Sequence, residues 1–254
     1  MEAHRQTMSS PRFYIPAEFS EGDLIQLPQD EAVHALRVLR LEEGDTITLL
    51  NGKGAKAEAI LSTDGEPTRR ARSASCKILS VQEFDRPCPA ITLYVAPPRN
   101  KNMETVLKAA TELGASEIVP ILCRHGVAKP EKDAIQNWQL TLIAASKQSA
   151  NPWLPEIHEP MDFGEALNAC QIPGVFGAVP GPEDKALPFP DPQGAPRLAL
   201  WIGPEGGFAP EEDQALRAGD VVPLTVGSWT LRVETAAIAL LAVALDRYDI
   251  HHQR

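Results

Sequence analysis

Apolar and polar residues alternate in two different rhythms, and the change falls near residue 87. Before it the apolar runs are short. Phe13-Tyr14-Ile15 reads as a strand stopped by Pro16, and Asp23 to Leu27 alternates until Pro28. Thr46-Ile47-Thr48-Leu49-Leu50 runs into the turn Asn51-Gly52, and Ala55 to Leu61 is its hairpin return. Lys77 to Gln82 gives a further strand. The single helical pattern of this half spans Asp30 to Leu39, with Asp30 as its expected N-cap. Many short strands with one helix predict a small β-barrel.

Asp85-Arg86-Pro87-Cys88-Pro89 puts two prolines between apolar runs and reads as a domain boundary. Beyond it, Ala90 to Ala96 is a nearly continuous apolar run, the mark of a strand buried on both faces. Residues 103, 106, 107, 110 and 113 are apolar at helical spacing, and Gly114 ends that helix. Further strands are expected over Glu117 to Leu122, Gly174 to Val179, Leu198 to Ile202 and Val221 to Val226. Helices are expected over Asp133 to Ser149, Pro210 to Ala218 and Glu234 to Tyr248. Pro210 suits a first turn, and Glu211, Glu212 and Asp213 match the dipole there. Strands alternating with helices predict an α/β domain with a largely parallel sheet. The expected domains are 11–86 and 89–254, with a surface loop over 180–196.

Composition narrows the function. A net charge of −10 argues against a protein that coats nucleic acid. It leaves room for a basic patch on an acidic body: Arg69-Arg70-Ala71-Arg72, Arg37 with Arg40, or Arg99 with Lys101 and Lys108. The longest apolar run, Ala236 to Leu245, is too short to span a bilayer, and the N-terminus lacks a secretion pattern, so no membrane partner is expected. Cys76, Cys88, Cys123 and Cys170 form no Cys-x-x-Cys. Free thiols in a reducing cytoplasm are expected, with no structural zinc. The histidines show no metal-ligand spacing, Gly-x-Ser-x-Gly is absent, and Cys123 reads as a buried thiol.

Candidate chemistry concentrates in two C-terminal segments. Trp201-Ile202-Gly203-Pro204-Glu205-Gly206-Gly207-Phe208 carries a strand into a glycine turn, where backbone N–H groups can meet a ligand closely. It is neither a Walker loop nor a dinucleotide fingerprint. Val226 to Ala236 joins a strand to a helix that is apolar on nearly every side, hence buried in a core or subunit interface. Arg232 and Glu234 stand just before that helix, where charges must be paired or used. A plain turn for the first segment, and an ion pair or cap (Thr235 included) for the second, are the alternatives to a shared ligand pocket.

Taken in order, several motifs identify a resemblance: His34-Ala35-Leu36-Arg37-Val38-Leu39-Arg40, Lys108 to Pro120, Leu154-Pro155-Glu156-Ile157, Ile202 to Phe208, and Leu231-Arg232-Val233-Glu234-Thr235-Ala236. From Arg12 onward the chain resembles the bacterial 16S ribosomal RNA uridine-N3 methyltransferases of the SPOUT superfamily. The resemblance implies a PUA-like β-barrel followed by an α/β domain with a C-terminal trefoil knot. It also implies S-adenosyl-L-methionine as cofactor, 16S rRNA of the small ribosomal subunit as partner, and a homodimer. It assigns cofactor binding to Ala178, Val179, Ile202, Gly203, Pro204, Glu205, Gly206, Leu224, Val226, Gly227, Leu231, Thr235 and Ala236. Catalysis is expected of Arg232, whose cation can stabilise a uridine anion, and of Glu234, which can orient Arg232 or the target base. RNA contacts are expected of the basic residues Arg37, Arg40, Arg99, Lys101 and Lys147. The chain departs from the family pattern at Lys147-Gln148 and Asn151, where relatives carry Glu-Gln and then arginine. It departs again at Gly227-Ser228-Trp229, where they carry Gly-x-Arg. A methyltransferase with another RNA target, and a non-catalytic RNA-binding or ribosome-assembly protein, are the competing functions.

Overall fold

The computed structural model describes residues 10–63, 73–99, 102–178, 189–190, 196–219 and 221–248. Contacts divide the chain into two units: residues 1–85 with 146–153, and residues 86–145 with 154–254. The chain is thus not cut once. Ser146–Trp153 groups with the first unit, although sequence order places it within 89–254.

The first unit holds a five-stranded sheet built from β1 (Arg12–Tyr14), β2 (Leu24–Gln26), β3 (Thr46–Leu50), β4 (Ala55–Ser62) and β5 (Ser75–Glu83). Their order is β1-β3-β4-β5-β2, antiparallel except for the β1–β3 pair. Along β4 every second residue is buried: Ala55, Ala57, Ala59 and Leu61 face a core with Phe13, Ile47, Leu49 and Ile78. The expected helix is α1 (Gln29–Val33) continued by a π-helical turn, His34–Val38. Its N-cap is Pro28 and not Asp30, which lies in the first turn without a capping bond.

Glu31 on α1 is buried, and Lys147 holds it with Nζ at 2.8 and 2.9 Å from the two carboxylate oxygens. Tyr14 N–H also donates to Glu31, and Arg12 donates to the Lys147 and Gln148 carbonyls. Removing one partner of a buried pair leaves the other charge without compensation. Lys147→Met should therefore destabilise the first unit by about 3 kcal/mol in chemical denaturation, and adding Glu31→Gln should recover most of that loss.

The second unit is a parallel sheet of β6 (Ala90–Val95), β7 (Glu117–Leu122), β8 (Glu156–Ile157), β9 (Met161–Asp162), β10 (Gly174–Gly177), β11 (Arg197–Ile202) and β12 (Val221–Leu224). The order is β12-β10-β11-β6-β7-β8, with β9 also beside β7. Its apolar runs are buried on both faces. Ile91, Leu93, Val95, Leu198, Leu200 and Ile202 pack under α2 (Asn102–Glu112) and α6 (Val233–Arg247). Tyr94, Ala199 and Trp201 turn to the other side, toward α4 (Phe163–Ala169) and α5 (Pro210–Ala218). There Trp201 is fully buried and stacks on Tyr94 with centroids 3.9 Å apart. The remaining helix, α3 (Ala134–Ser149), contributes Leu142 to the first face.

Among the described residues no helix is long and apolar enough to cross a membrane, and no cluster of side chains is suited to a metal ion.

Candidate active site

A twisted parallel sheet leaves a crevice at the carboxyl ends of its strands, where loops to either side part. Three neighbouring strands, β12, β10 and β11, end here at Leu224, Gly177 and Ile202, and a cavity of about 290 Å³ opens above them. That is near the lower bound for small-molecule sites, roughly 300–1,000 Å³. One wall is the turn Gly203 to Phe208; the other comprises Leu224, Val226, Trp229, Thr230 and Leu231. Val233, Ala236 and Leu240 complete it from α6. The two C-terminal segments thus border one cavity.

Glycine matters at two places in these loops. Gly207 adopts φ +73°, a conformation costly for residues with a Cβ, and its N–H donates to the Pro204 carbonyl at 2.8 Å. Gly203 is needed for space: a Cβ there would lie 3.1 Å from Phe208 Cδ2 and 3.2 Å from the Phe208 nitrogen. Glu205 is tied down by the Arg99 N–H at 3.0 Å. Behind the turn, Glu212 accepts from the Ala209 and Arg124 N–H groups, both at 2.8 Å, and fixes the start of α5.

The cavity wall includes Ala178, Ile202, Gly203, Pro204, Glu205, Gly206, Leu224, Val226, Leu231 and Ala236, ten of the positions expected to hold the cofactor. Gly227 and Thr235 are exposed and off the wall. For Thr235 the reason is helical spacing: Val233, Ala236 and Leu240 share one face of α6, and residue 235 lies on another. Val179 lies outside the described residues. Gly207, Phe208, Trp229, Thr230 and Val233 also line the cavity; they fall within the two expected segments without having been assigned singly, whereas Gly177 and Leu240 lie outside both segments. Val233 and Leu240 carry the same periodic signal as core residues, which hides a ligand role.

Arg232 and Glu234 do not pair. Glu234 Oε1 accepts from Asn102 Nδ2 at 3.3 Å. Arg232 is the exposed N-cap residue of α6 and has no ion pair among the described residues. Neither lines the cavity, but their neighbours Leu231 and Val233 do.

Of the expected RNA contacts, Arg37, Arg40 and Arg99 are exposed. Arg40 takes φ +57° just after the π-helical turn. Lys147 is committed to Glu31 and is not a free surface cation. Lys101 and the cluster Arg69-Arg70-Ala71-Arg72 lie outside the described residues. Burial pushes the Cys123 thiol up to about 12 and the Cys76 thiol up to about 11, so both stay protonated at neutral pH and neither is a ready nucleophile.

A parallel sheet with a glycine-walled cavity at its carboxyl edge defines a ligand-binding α/β domain, and known proteins narrow that class. The family described as RNA methyltransferase domain matches residues 85–245, and RNA methyltransferase PUA domain matches residues 27–66. Ribosomal RNA small subunit methyltransferase E of Synechocystis is 30% identical over 219 residues, covering 81% of this chain and 67% of that protein. The protein of that description from Aquifex aeolicus is 28% identical and covers 91% and 97%. A crystal structure of ribosomal RNA small subunit methyltransferase E from Neisseria gonorrhoeae, bound to S-adenosyl methionine, aligns at TM-score 0.83 and 27% identity. It covers 94% of this chain and 98% of that one. The chain belongs to this family of RNA methyltransferases, with a PUA-like domain before the α/β domain.

Proposed function

We propose that this chain transfers the methyl group of S-adenosylmethionine to N3 of a uridine in 16S rRNA of the small ribosomal subunit. The observation that carries this reading is the single cavity bordered by both C-terminal loops at the ends of β10, β11 and β12. The gonococcal relative with S-adenosyl methionine bound supports the choice of ligand. The site also fits it chemically. Ile202, Leu224, Leu231 and Leu240 give apolar walls for the adenosyl group, and the backbone of Gly203–Gly207 offers polar edges.

When bound, the cofactor supplies an electrophilic methyl on a sulfonium. The residues of this chain position and discharge the reaction. The apolar side chains and the glycine turn of the cavity fix the donor, so proximity supplies much of the acceleration. N3 of uridine must give its proton to solvent water, and the Arg232 guanidinium stabilises the anion that remains. Glu234, held by Asn102, orients the target base.

The same proposal reads the bends at 203–208 and 225–236 as parts of a trefoil knot, and α6, whose Ile238 is exposed, as part of a homodimer interface. It takes 11–86 as a PUA-like β-barrel that docks RNA through Arg37 and Arg40, and 89–254 as the methyltransferase domain working in the cytoplasm.

Nucleoside mass mapping of small-subunit rRNA from cells lacking this gene tests the assignment. Loss of one N3-methyluridine, restored by the purified protein with S-adenosylmethionine, is the expected result. An unchanged level refutes the target. Absence of S-adenosylmethionine binding in calorimetry points instead to a non-catalytic RNA-binding protein.

A further inference from the structure

We propose that Trp229 is the platform on which the target base of the RNA stacks; this rests on the methyltransferase reading above. All four tryptophans of the chain are described, and they are treated differently. Trp201 is fully buried, and Trp138 and Trp153 are partly covered. Trp229 is 81% exposed although it lines the cavity.

Trp229 contributes nothing visible to the fold. Among the described residues its rings have no aromatic partner and its indole N–H no acceptor. Its neighbours Gly227, Ser228 and Thr230 are exposed as well, and Gly227 takes φ +73° to let the loop turn. A single exposed apolar side chain is ordinary on a protein surface, but this one borders the cavity read as the methyl-donor site, where a second molecule must approach. The cavity interior is walled by the glycine turn, Leu224 and α6, which suits the first ligand. The rim is the approach route for the second.

A nucleobase fits that position best. Every base has a π-face, and stacking needs no positive charge. That matters in a chain with a net charge of −10. Single-stranded RNA targets are read by splaying a base out and stacking it on an aromatic side chain. Trp229 also stands three residues before Arg232, so one short loop offers a flat surface and a cation to the same pyrimidine.

The test measures methyl transfer from S-adenosylmethionine to small ribosomal subunits prepared from cells lacking the gene. Trp229→Ala should lower kcat/KM by about tenfold to a hundredfold, carried mainly by KM for the subunits. Trp229→Phe keeps a stacking face and should stay within about threefold of the wild type. Because Trp229 borders the cavity, S-adenosylmethionine affinity by calorimetry should fall far less than kcat/KM, and molar mass by sedimentation should be unchanged in both variants. Wild-type kcat/KM in Trp229→Ala overturns the proposal. So does a loss of cofactor affinity that accounts for the kcat/KM loss, which places the indole on the adenosyl group. So does dissociation of subunits, which places it in a protein interface. No transfer by the wild type defeats the methyltransferase reading itself, and the stacking role with it.

Discussion

Arg232→Ala is expected to lower kcat by about a hundredfold to a thousandfold while S-adenosylmethionine affinity stays within about twofold. The split follows from where Arg232 stands. It is absent from the cavity wall, so losing its side chain removes no cofactor contact. It is exposed and has no ion pair among the described residues, so no carboxylate is stranded by its removal. Its charge is available for an anion that forms only as the uridine imide gives up its proton. A cation beside the imide lowers the pKa of N3, and without it that pKa rises. The variant's rate should keep climbing with pH beyond the point where the wild type levels off, because N3 without the cation is fully ionised only at higher pH. Arg232→Lys should recover part of the loss, as charge without the planar fork. Single-turnover kinetics across pH, with calorimetry for the cofactor, decide the matter. An undiminished rate removes Arg232 from the mechanism.

How far the sequence discloses this molecule depends on how each signal arises. Strands such as Glu117–Leu122 and Thr46–Leu50 are legible to the residue, because burial writes apolar runs directly into the chain. The stretch between Asn151 and Pro173 is not. It holds β8 and β9 of two residues each and α4 of seven, all too short for periodicity to register. A local cue exists there: Asp162 accepts from the Gly164 N–H at 2.8 Å as the N-cap of α4. Asp30 looked like the same cue and is not one, since Pro28 begins that helix. The Lys147–Glu31 pair joins residues more than a hundred positions apart, and no spacing rule reaches that far. The glycine wall was readable from chemistry alone. That a helix such as α6 serves core and cavity at once appears only when strands and helix are assembled.

Gly203→Val should weaken S-adenosylmethionine binding by about a hundredfold or more, the largest effect expected from a change that adds no charge. Space is the cause. A Cβ at residue 203 already stands 3.1 Å from the Phe208 ring and 3.2 Å from the Phe208 nitrogen. The backbone atom gives little, so the ring must move, and it is held against Phe163 at 5.7 Å and Phe176 at 6.1 Å. Phe208 lines the cavity, so its displacement and the added methyls distort or fill the same volume. Overpacking of this kind costs about 1–3 kcal/mol in stability, which thermal unfolding can follow separately. Gly207→Ala is the control. It has φ +73° but nothing within 4 Å of a new Cβ, so it carries backbone strain of about 1 kcal/mol without pushing on Phe208. Calorimetry should find the cofactor bound nearly as in the wild type by Gly207→Ala and hardly at all by Gly203→Val. Equal affinities in the two variants mean that the turn matters for its conformation, and that the methyl donor lies elsewhere.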